Sequence, residues 1–183
     1  YAGKAWDWKG IHIFLKAARL AFVEHQKKET SQDWQIKLIG IRFEEEQKMV
    51  MGWVKKLGLE KHVTLIPFIQ RAELLKKLAG CSLSVYPAFR DSGSMSVLEA
   101  CALGCPSICF DAGGQDVFSD DILLKVAVGD TYDETLNRFV GQLLWAYEHP
   151  QELKEVGLKA KAWVEEHLTW EKRVEEFHNI YNG

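Results

Sequence analysis

The sequence lacks a surplus of positive charge, because 23 lysines and arginines stand against 26 aspartates and glutamates, a formal net charge of −3 over 183 residues. Nucleic acids and anionic membranes attract basic patches, so we expect no nucleic-acid partner. Long apolar runs are also missing, and a membrane-spanning helix needs about 20 such residues. With no signal peptide recognised at its start, the chain is expected to be cytoplasmic and to have no transmembrane segment.

Several short motifs of known chemistry are absent. The stretch "SGSMS" is not a P-loop, since no Gly-Lys-Ser/Thr follows it, and it is not the Gly-x-Ser-x-Gly elbow of hydrolases. The cysteines form no Cys-x-x-Cys pair and have no adjacent histidine, and Gly104 and Pro106 end the helix that holds Cys101. We therefore predict buried free thiols in a reducing compartment and no metal site. The thiols are those of Cys81, Cys101, Cys105 and Cys109.

Strand patterns alternate with helix patterns along the whole chain. Apolar residues make up 47% and charged residues 27% of it, as in a soluble globular domain. In the first predicted helix, Ile11, Phe14, Leu15, Ala18 and Phe22 recur with the helical period. The predicted strands are "WQIKLIGI", "HVTLIPF", "CSLSVYPAF", "PSICFD" and "ILLKVAV". This alternation predicts one α/β domain over residues 1–183, with a mostly parallel sheet covered by helices on both faces.

The ends of several predicted elements can be read from the sequence. An acid-opened amphipathic helix is predicted over Glu44–Leu59 and a short apolar one near Ser94–Leu103. The C-terminal region is predicted to be helical throughout, with a break near Leu168–Trp170. The chain begins at Tyr1, at what reads as the end of a strand. We therefore expect it to be a fragment of a longer protein.

Ligands of parallel α/β sheets bind beyond the carboxyl ends of the strands. The predicted loops at that edge are Gly40–Glu44, Phe68–Arg71, Ala88–Ser94 and Asp111–Asp116. In "FRDSGSMS", Gly93 lets the backbone approach a ligand closely. The helix-start amides of Ser94, Met95 and Ser96 make an anion site, because unpaired N–H groups and the helix dipole act together. The alternative is plain helix capping by Ser92 or Ser94.

Two acidic residues flank this helix start. Glu99 is the only charge in the apolar helix "SMSVLEACALG", and a buried carboxylate is costly unless donors surround it. It is a candidate acceptor for two neighbouring hydroxyls, such as those of a ribose; the alternatives are a salt bridge to a Lys or Arg, or partial exposure. Asp91 lies eight positions earlier, where a sugar attached to a diphosphate would sit; its alternative is an Asx turn.

Two lysines and a glycine pair lie at the same predicted edge. Lys4 in "AGK" and Lys9 in "DWKG" are placed to neutralise a diphosphate and to stabilise it as a leaving group. The alternative is that both are solvated surface lysines. Gly113 and Gly114 allow a ligand or a neighbouring backbone to come close.

The order of these motifs resembles the C-terminal domain of family-4 glycosyltransferases of the GT-B fold. The likeness rests on "GK" and "KG" near the start, on "LIGI", on "VTLIPFIQRAELLKKLAGCSLSVYPA" and on "DSGSMSVLEACALGCPSICFDAGG". It extends over Gly3–Asn182 and is most specific over Leu75–Gly114. It implies a Rossmann-like, doubly wound and mostly parallel sheet, which is one half of a GT-B fold, with C-terminal helices.

The resemblance also implies roles for individual residues. The family has two glutamates separated by seven residues in a Glu-Gly-Phe-Gly setting. Glu99 matches the second, which holds the donor ribose, and Lys9 matches the lysine that binds the diphosphate. Lys4 stands where Arg is usual, and Asp91 stands where the first glutamate, which contacts the donor sugar, is usual. The predicted catalytic set is Asp91, Lys9 and Lys4, and the predicted donor-binding set is Glu99, Gly93, Ser94, Met95, Ser96, Phe68, Gly113 and Gly114. The stretch Gly93-Ser94-Met95-Ser96 aligns with, and replaces, the family's usual Gly-Phe-Gly-Leu.

The family's activity implies retaining transfer from a UDP- or GDP-sugar to a glycan or lipid-linked acceptor, in bacterial surface polysaccharide synthesis, without a cofactor or required metal. The acceptor-binding half, with the family's catalytic histidine, is expected upstream of Tyr1. Through that half, contact with the inner face of the membrane is possible. The 183-residue domain alone is then expected to bind donor without turnover. The histidines are interpreted as surface or helix-face residues. They are His12, His25, His62, His149, His167 and His178.

Two other functions remain open. A sugar-nucleotide epimerase shares the GT-B fold, although the acid pair followed by Gly-Cys-Pro and Gly-Gly favours a transferase. A non-catalytic nucleotide-sugar-binding domain is compatible with the departures at Asp91 and Lys4. A flavodoxin-like receiver is disfavoured, because "YAGKAWDW" supplies no acidic pair at the first strand.

Overall fold

The computed structural model describes residues 1–26, 34–92 and 94–182, and for residues 116 and 117 the backbone alone. The strands are β1 (Ile36–Ile39), β2 (Val63–Ile66), β3 (Ser84–Tyr86), β4 (Ser107–Phe110) and β5 (Leu124–Val126). The helices are α1 (Ile11–Gln26), α2 (Glu44–Lys56), α3 (Arg71–Ala79), α4 (Met95–Ala102), α5 (Tyr132–Glu148), α6 (Pro150–His167) and α7 (Trp170–Asn182). Short 3₁₀ turns cover Asp7–Lys9 and Gly113–Val117. The predicted α/β class, with strands and helices in alternation, is confirmed.

The described strands pair in parallel and form two sheets. In the first, β1 pairs with β2, with Ile36 opposite Val63. In the second, β4 lies between β3 and β5. The first residues of the chain join β1 through a parallel bridge between Ala2 and Ile39. The sequence predicted a single sheet, but over the described ranges no ladder of hydrogen bonds joins the two.

A cavity of about 850 Å³ occupies the gap between the two sheets. Its walls include Tyr1, the start of β1 and the start of β3. His25 of α1 lines it and is buried, its ring 3.9 Å from that of Tyr147, so the prediction of a helix-face residue holds but a surface position does not. Most of the cavity's strand residues, and the residues that precede β1 and β3, lie at the amino ends of these two strands, whereas parallel sheets bind ligands at the carboxyl ends. We therefore place the functional site elsewhere.

The main core lies between the strands and the helices α1 and α5. All five apolar positions that define the predicted face of α1 are buried, including Ile11 and Leu15 at 0% exposure. Across the core, the rings of Phe110 in β4 and Phe139 in α5 are 5.2 Å apart. Burial of each such side chain stabilises the fold by about 1.5–3 kcal/mol. This core fixes α1 and the strands against each other.

A second, smaller core holds α4 against α6. It contains Val97 and Cys101 of α4 and Ala160 and Val164 of α6. All four cysteines are free thiols; Cys101, Cys105 and Cys109 are buried, as predicted, and Cys81 is half-buried. Burial raises the pKa of each of the three buried thiols to about 12, so they are un-ionised and unreactive at neutral pH. Their role is packing around α4.

One predicted helix end differs from the structure, and one predicted helix break is confirmed. The helix α2 ends at Lys56 and not at Leu59, because Gly58 takes a left-handed φ of 65°. The break predicted near Leu168–Trp170 is confirmed as the junction of α6 and α7. Helix α7 has no buried residue, and Trp170 and Phe177 are 82% and 56% exposed. No helix in the described ranges combines the length and the apolar character that crossing a bilayer requires.

Candidate functional site

A tight turn places Lys9 beside the exit of β3. The amide of Phe89 donates to the carbonyl of Trp8 over 2.8 Å, which ties the turn to the loop after β3. Gly10 follows with φ 67°, and a Cβ there would lie 1.8 Å from the carbonyl oxygen of Pro87. Only glycine fits this position, because it tolerates both the left-handed backbone and the close approach. Lys9 is therefore held by backbone contacts at the carboxyl edge of the strands.

The side chains of Lys9, Tyr86 and Asp91 form one polar cluster, which we call the Lys9 cluster. The Nζ of Lys9 donates to the hydroxyl of Tyr86 over 2.7 Å and to Oδ2 of Asp91 over 2.5 Å. The Tyr86 hydroxyl in turn donates to the same carboxylate oxygen. The side chains of Lys9 and Asp91 are 19% and 18% exposed. Two residues that the sequence predicted separately, 82 positions apart, thus meet in a partly buried site.

Tyr86 was missed by the sequence analysis. It ends the buried strand "SVY" and is only 4% exposed, so its ring reads as core. The available signal was its hydroxyl, since a buried tyrosine usually finds a polar partner, and its position at the carboxyl end of a strand.

The loop of Asp91 is fixed by the glycine pair. The amide of Gly114 donates to the carbonyl of Asp91 over 2.8 Å. Gly113 has φ 67°, and a Cβ there would lie 2.6 Å from the same carbonyl oxygen. The close approach that the sequence predicted is therefore made to neighbouring backbone, which orients Asp91. Gly93, the other predicted loop glycine, lies outside the described residues.

Helix α4 begins directly after this loop. Ser94 precedes it with a left-handed φ of 41°, and its hydroxyl makes no cap hydrogen bond; within the described ranges the buried Ser94 Oγ has no hydrogen-bond partner. The structure therefore does not have capping by the Ser94 side chain, which was one of the two serine caps that the sequence offered as the alternative to an anion site. The amide of Ser94 donates to Oδ1 of Asp91 over 3.5 Å, so one of the three amides predicted to form the anion site already has an acceptor within the chain. Met95 is 58% exposed and Ser96 is half-buried.

The backbone of Ser94 also bears on the family comparison. Counted from Asp91, the second glycine of Glu-Gly-Phe-Gly falls on Ser94, one position earlier than the register used above. The φ of 41° is the conformation that favours glycine, so the structure agrees with this earlier register.

Glu99 is ion-paired in this structure. Its Oε1 accepts from Nε of Arg71 over 2.7 Å, and the two side chains are 14% and 70% exposed. The salt bridge was one of the alternatives left open by the sequence, and Arg71 starts α3 in a predicted edge loop. A pair with one partner so exposed contributes about 0–1 kcal/mol, so a ligand's hydroxyls can compete with Arg71 for the carboxylate.

Lys4 and Phe68 make other contacts. The Nζ of Lys4 lies 4.0 Å above the ring of Trp6, and Phe68 is 60% exposed with the guanidinium of Arg42 5.7 Å from its ring. The structure brings Lys9, Asp91, Ser94, Gly113 and Gly114 together, and it gives Lys4 and Phe68 no contact with the Lys9 cluster among the described interactions. Their predicted roles stay predictions.

The chain is similar to known proteins in both sequence and fold. Residues 1–160 match the family described as glycosyl transferases group 1. A D-inositol 3-phosphate glycosyltransferase of Paenarthrobacter aurescens is 26% identical over 114 residues, which is 62% of this chain and 27% of that protein. A crystal structure of Anabaena HepE in complex with UDP matches with a TM-score of 0.76 and 18% sequence identity. The match covers 98% of this chain and 47% of the HepE chain.

A solved domain of similar extent is also known. The C-terminal domain of the group 1 protein LpcC from Francisella tularensis is 19% identical in sequence and has a TM-score of 0.75. The match covers 92% of this chain and 84% of the LpcC domain. By contrast, the chain spans about a quarter of the curated relative and under half of the HepE chain. These similarities show the fold, a GT-B glycosyltransferase domain. With the family match over 160 of 183 residues, the chain belongs to the glycosyl transferases group 1.

Proposed function

We propose that this domain binds the nucleotide diphosphate of a sugar donor as part of a glycosyltransferase. The observation that carries the proposal is the Lys9 cluster, in which a cation and a carboxylate from distant parts of the sequence meet 2.5 Å apart at the carboxyl edge of the strands. That edge is where parallel α/β sheets bind ligands. Family membership and the likeness in fold to a chain solved with UDP support the same ligand class.

Each residue has a role that follows from its chemistry. The ammonium of Lys9 and the amides at the start of α4 supply positive charge for the diphosphate. Stabilised in this way, the nucleotide diphosphate becomes a better leaving group. Glu99, one turn into α4, is proposed to accept from the ribose hydroxyls, and Asp91 from a sugar hydroxyl. Lys4 is proposed as a second cation, which must leave the ring of Trp6 to reach the phosphates.

The finer features of the reaction are part of the proposal. Transfer is proposed to be retaining, from a UDP- or GDP-sugar to a glycan or lipid-linked acceptor, in the synthesis of a bacterial surface polysaccharide. Since the chain spans only 27% of the D-inositol 3-phosphate glycosyltransferase and 47% of the HepE chain, the acceptor is proposed to bind to another domain. The full protein would then act in the cytoplasm, including at the inner face of the membrane, while this domain alone binds donor without turnover.

The Glu99→Ala variant tests the ribose assignment. We expect it to weaken UDP binding at least about tenfold, because two hydrogen bonds to a charged acceptor are lost. Isothermal titration calorimetry with UDP, and with GDP in parallel, measures the effect on the 183-residue chain.

Arg71→Ala provides the matched control, since it removes the other half of the Glu99–Arg71 pair but leaves the carboxylate in place. Its UDP affinity should stay within about twofold of the parent chain, in line with the small value of exposed ion pairs. If Arg71→Ala loses as much affinity as Glu99→Ala, the loss comes from breaking the salt bridge, and the assignment of Glu99 to the ribose is contradicted. Unchanged affinity in Glu99→Ala contradicts the assignment outright.

A further inference from the structure

The cation that the proposed donor site depends on is already neutralised within the chain. Lys9 Nζ contacts the Asp91 carboxylate at 2.5 Å and the Tyr86 hydroxyl at 2.7 Å. It also lies 5.1 Å from the centre of the Tyr86 ring. With about a fifth of each charged side chain exposed, this pair is less screened than a surface ion pair.

A diphosphate and the Asp91 carboxylate therefore compete for one ammonium group. Both are anions, so Asp91 also repels a diphosphate that approaches Lys9. The backbones on both sides are fixed, by the bond from Phe89 to Trp8 and by the bond from Gly114 to Asp91. What can move is the flexible four-carbon side chain of Lys9.

We propose that donor binding is an exchange at Lys9, in which the diphosphate takes the ammonium group from Asp91 and so releases this carboxylate for the sugar. The inference rests on the proposed function and adds an order of events to it. Tyr86 lowers the free-energy cost of the exchange. Its hydroxyl donates to Asp91 independently of Lys9, so the carboxylate keeps this hydrogen-bond donor after Lys9 has left. Asp91 is then an internal competitor of the diphosphate as well as a sugar ligand.

The exchange predicts that removing a charged residue from the binding site increases the affinity for UDP. Asp91→Asn should bind UDP about three- to tenfold more tightly than the parent chain, because Lys9 no longer has to leave a carboxylate. Uridine, which lacks phosphates, should bind equally to both. Asp120→Asn is the matched control: it removes an aspartate from another lysine pair, Asp120–Lys125 at 2.8 Å, and should leave UDP affinity unchanged.

A double-mutant cycle with Lys9→Met separates the exchange from simple charge repulsion. If the gain in Asp91→Asn comes from freeing Lys9, it should vanish in the Lys9→Met background. A gain that persists there reflects repulsion alone and overturns the inference. Calorimetry with UDP supplies all four affinities, and Asp91→Ser replaces the asparagine variant if thermal unfolding shows that the latter is not folded.

The outcomes distinguish this inference from the proposed function. UDP binding that Glu99→Ala weakens, but that Asp91→Asn leaves unchanged or weakens, retains the proposed function and overturns the exchange. Failure of the parent chain to bind either UDP or inorganic pyrophosphate contradicts both. Tighter UDP binding by Asp91→Asn that requires Lys9 supports both.

Discussion

The Gly10→Ala variant is expected to lower the free energy of unfolding by about 3 kcal/mol, since it combines left-handed backbone strain with a steric clash. The added Cβ would lie 1.8 Å from the carbonyl oxygen of Pro87, well inside van der Waals contact. The clash can be relieved only if the turn of Asp7–Lys9 moves away from the exit of β3. Urea denaturation followed by circular dichroism measures the loss.

Gly52→Ala is the matched control for this variant. Gly52 lies within α2, and a Cβ there meets nothing within 4 Å. That substitution should stabilise the chain by about 0.5–1 kcal/mol, the usual gain of alanine over glycine within a helix. If Gly10→Ala and Gly52→Ala have similar stabilities, the turn is not packed against Pro87 as described, and Lys9 is not fixed in the way the site requires.

The Lys9→Met variant should lose about 30- to 100-fold in UDP affinity, equivalent to about 2–3 kcal/mol for a charge-assisted contact with phosphate. Methionine keeps the length and the apolar stem of the side chain while removing the ammonium group. The loss should fall on the phosphates, so uridine binding should change little. Calorimetric titration with both ligands measures the two effects.

Lys48→Met is the control for loss of a lysine. Lys48 is paired with Glu44 at 2.6 Å on the surface of α2, away from the Lys9 cluster, and its removal should leave UDP affinity unchanged. Equal losses in the two variants would indicate that UDP affinity follows the overall charge of the chain, which is −3, and not a specific contact at Lys9. A Lys9→Met variant that binds UDP as the parent chain does would remove the diphosphate from the Lys9 cluster.

The elements were predictable from the sequence because local patterns determine them. The face of α1 repeats with the helical period and is buried as expected. The end of α2 was placed three residues late, since Leu57 and Leu59 continue an apolar pattern and the turn depends on the backbone of Gly58. The split into two sheets depends on pairing between distant strands, which periodicity does not encode.

The site was predictable residue by residue but not as a set of contacts. Lys9 and Asp91 were both candidates from the sequence. Their contact, however, depends on the close packing of Gly10 against the backbone after β3 and on the hydrogen bond from the Gly114 amide to the Asp91 carbonyl. Tyr86 was hidden because a tyrosine in a buried strand reads as core. For Glu99, the choice between a salt bridge and a ligand was open, and only the fold brings Arg71 to it.

The central claim is that a nucleotide diphosphate binds at the Lys9 cluster and the start of α4. Titration of UDP into the ¹⁵N-labelled chain, followed by amide chemical shifts, tests this claim most directly. We expect saturable shifts that are largest at Lys9, Gly10, Asp91, Ser96 and Glu99. No saturable shifts, or shifts confined to the residues around the cavity between Tyr1 and the start of β3, would contradict it.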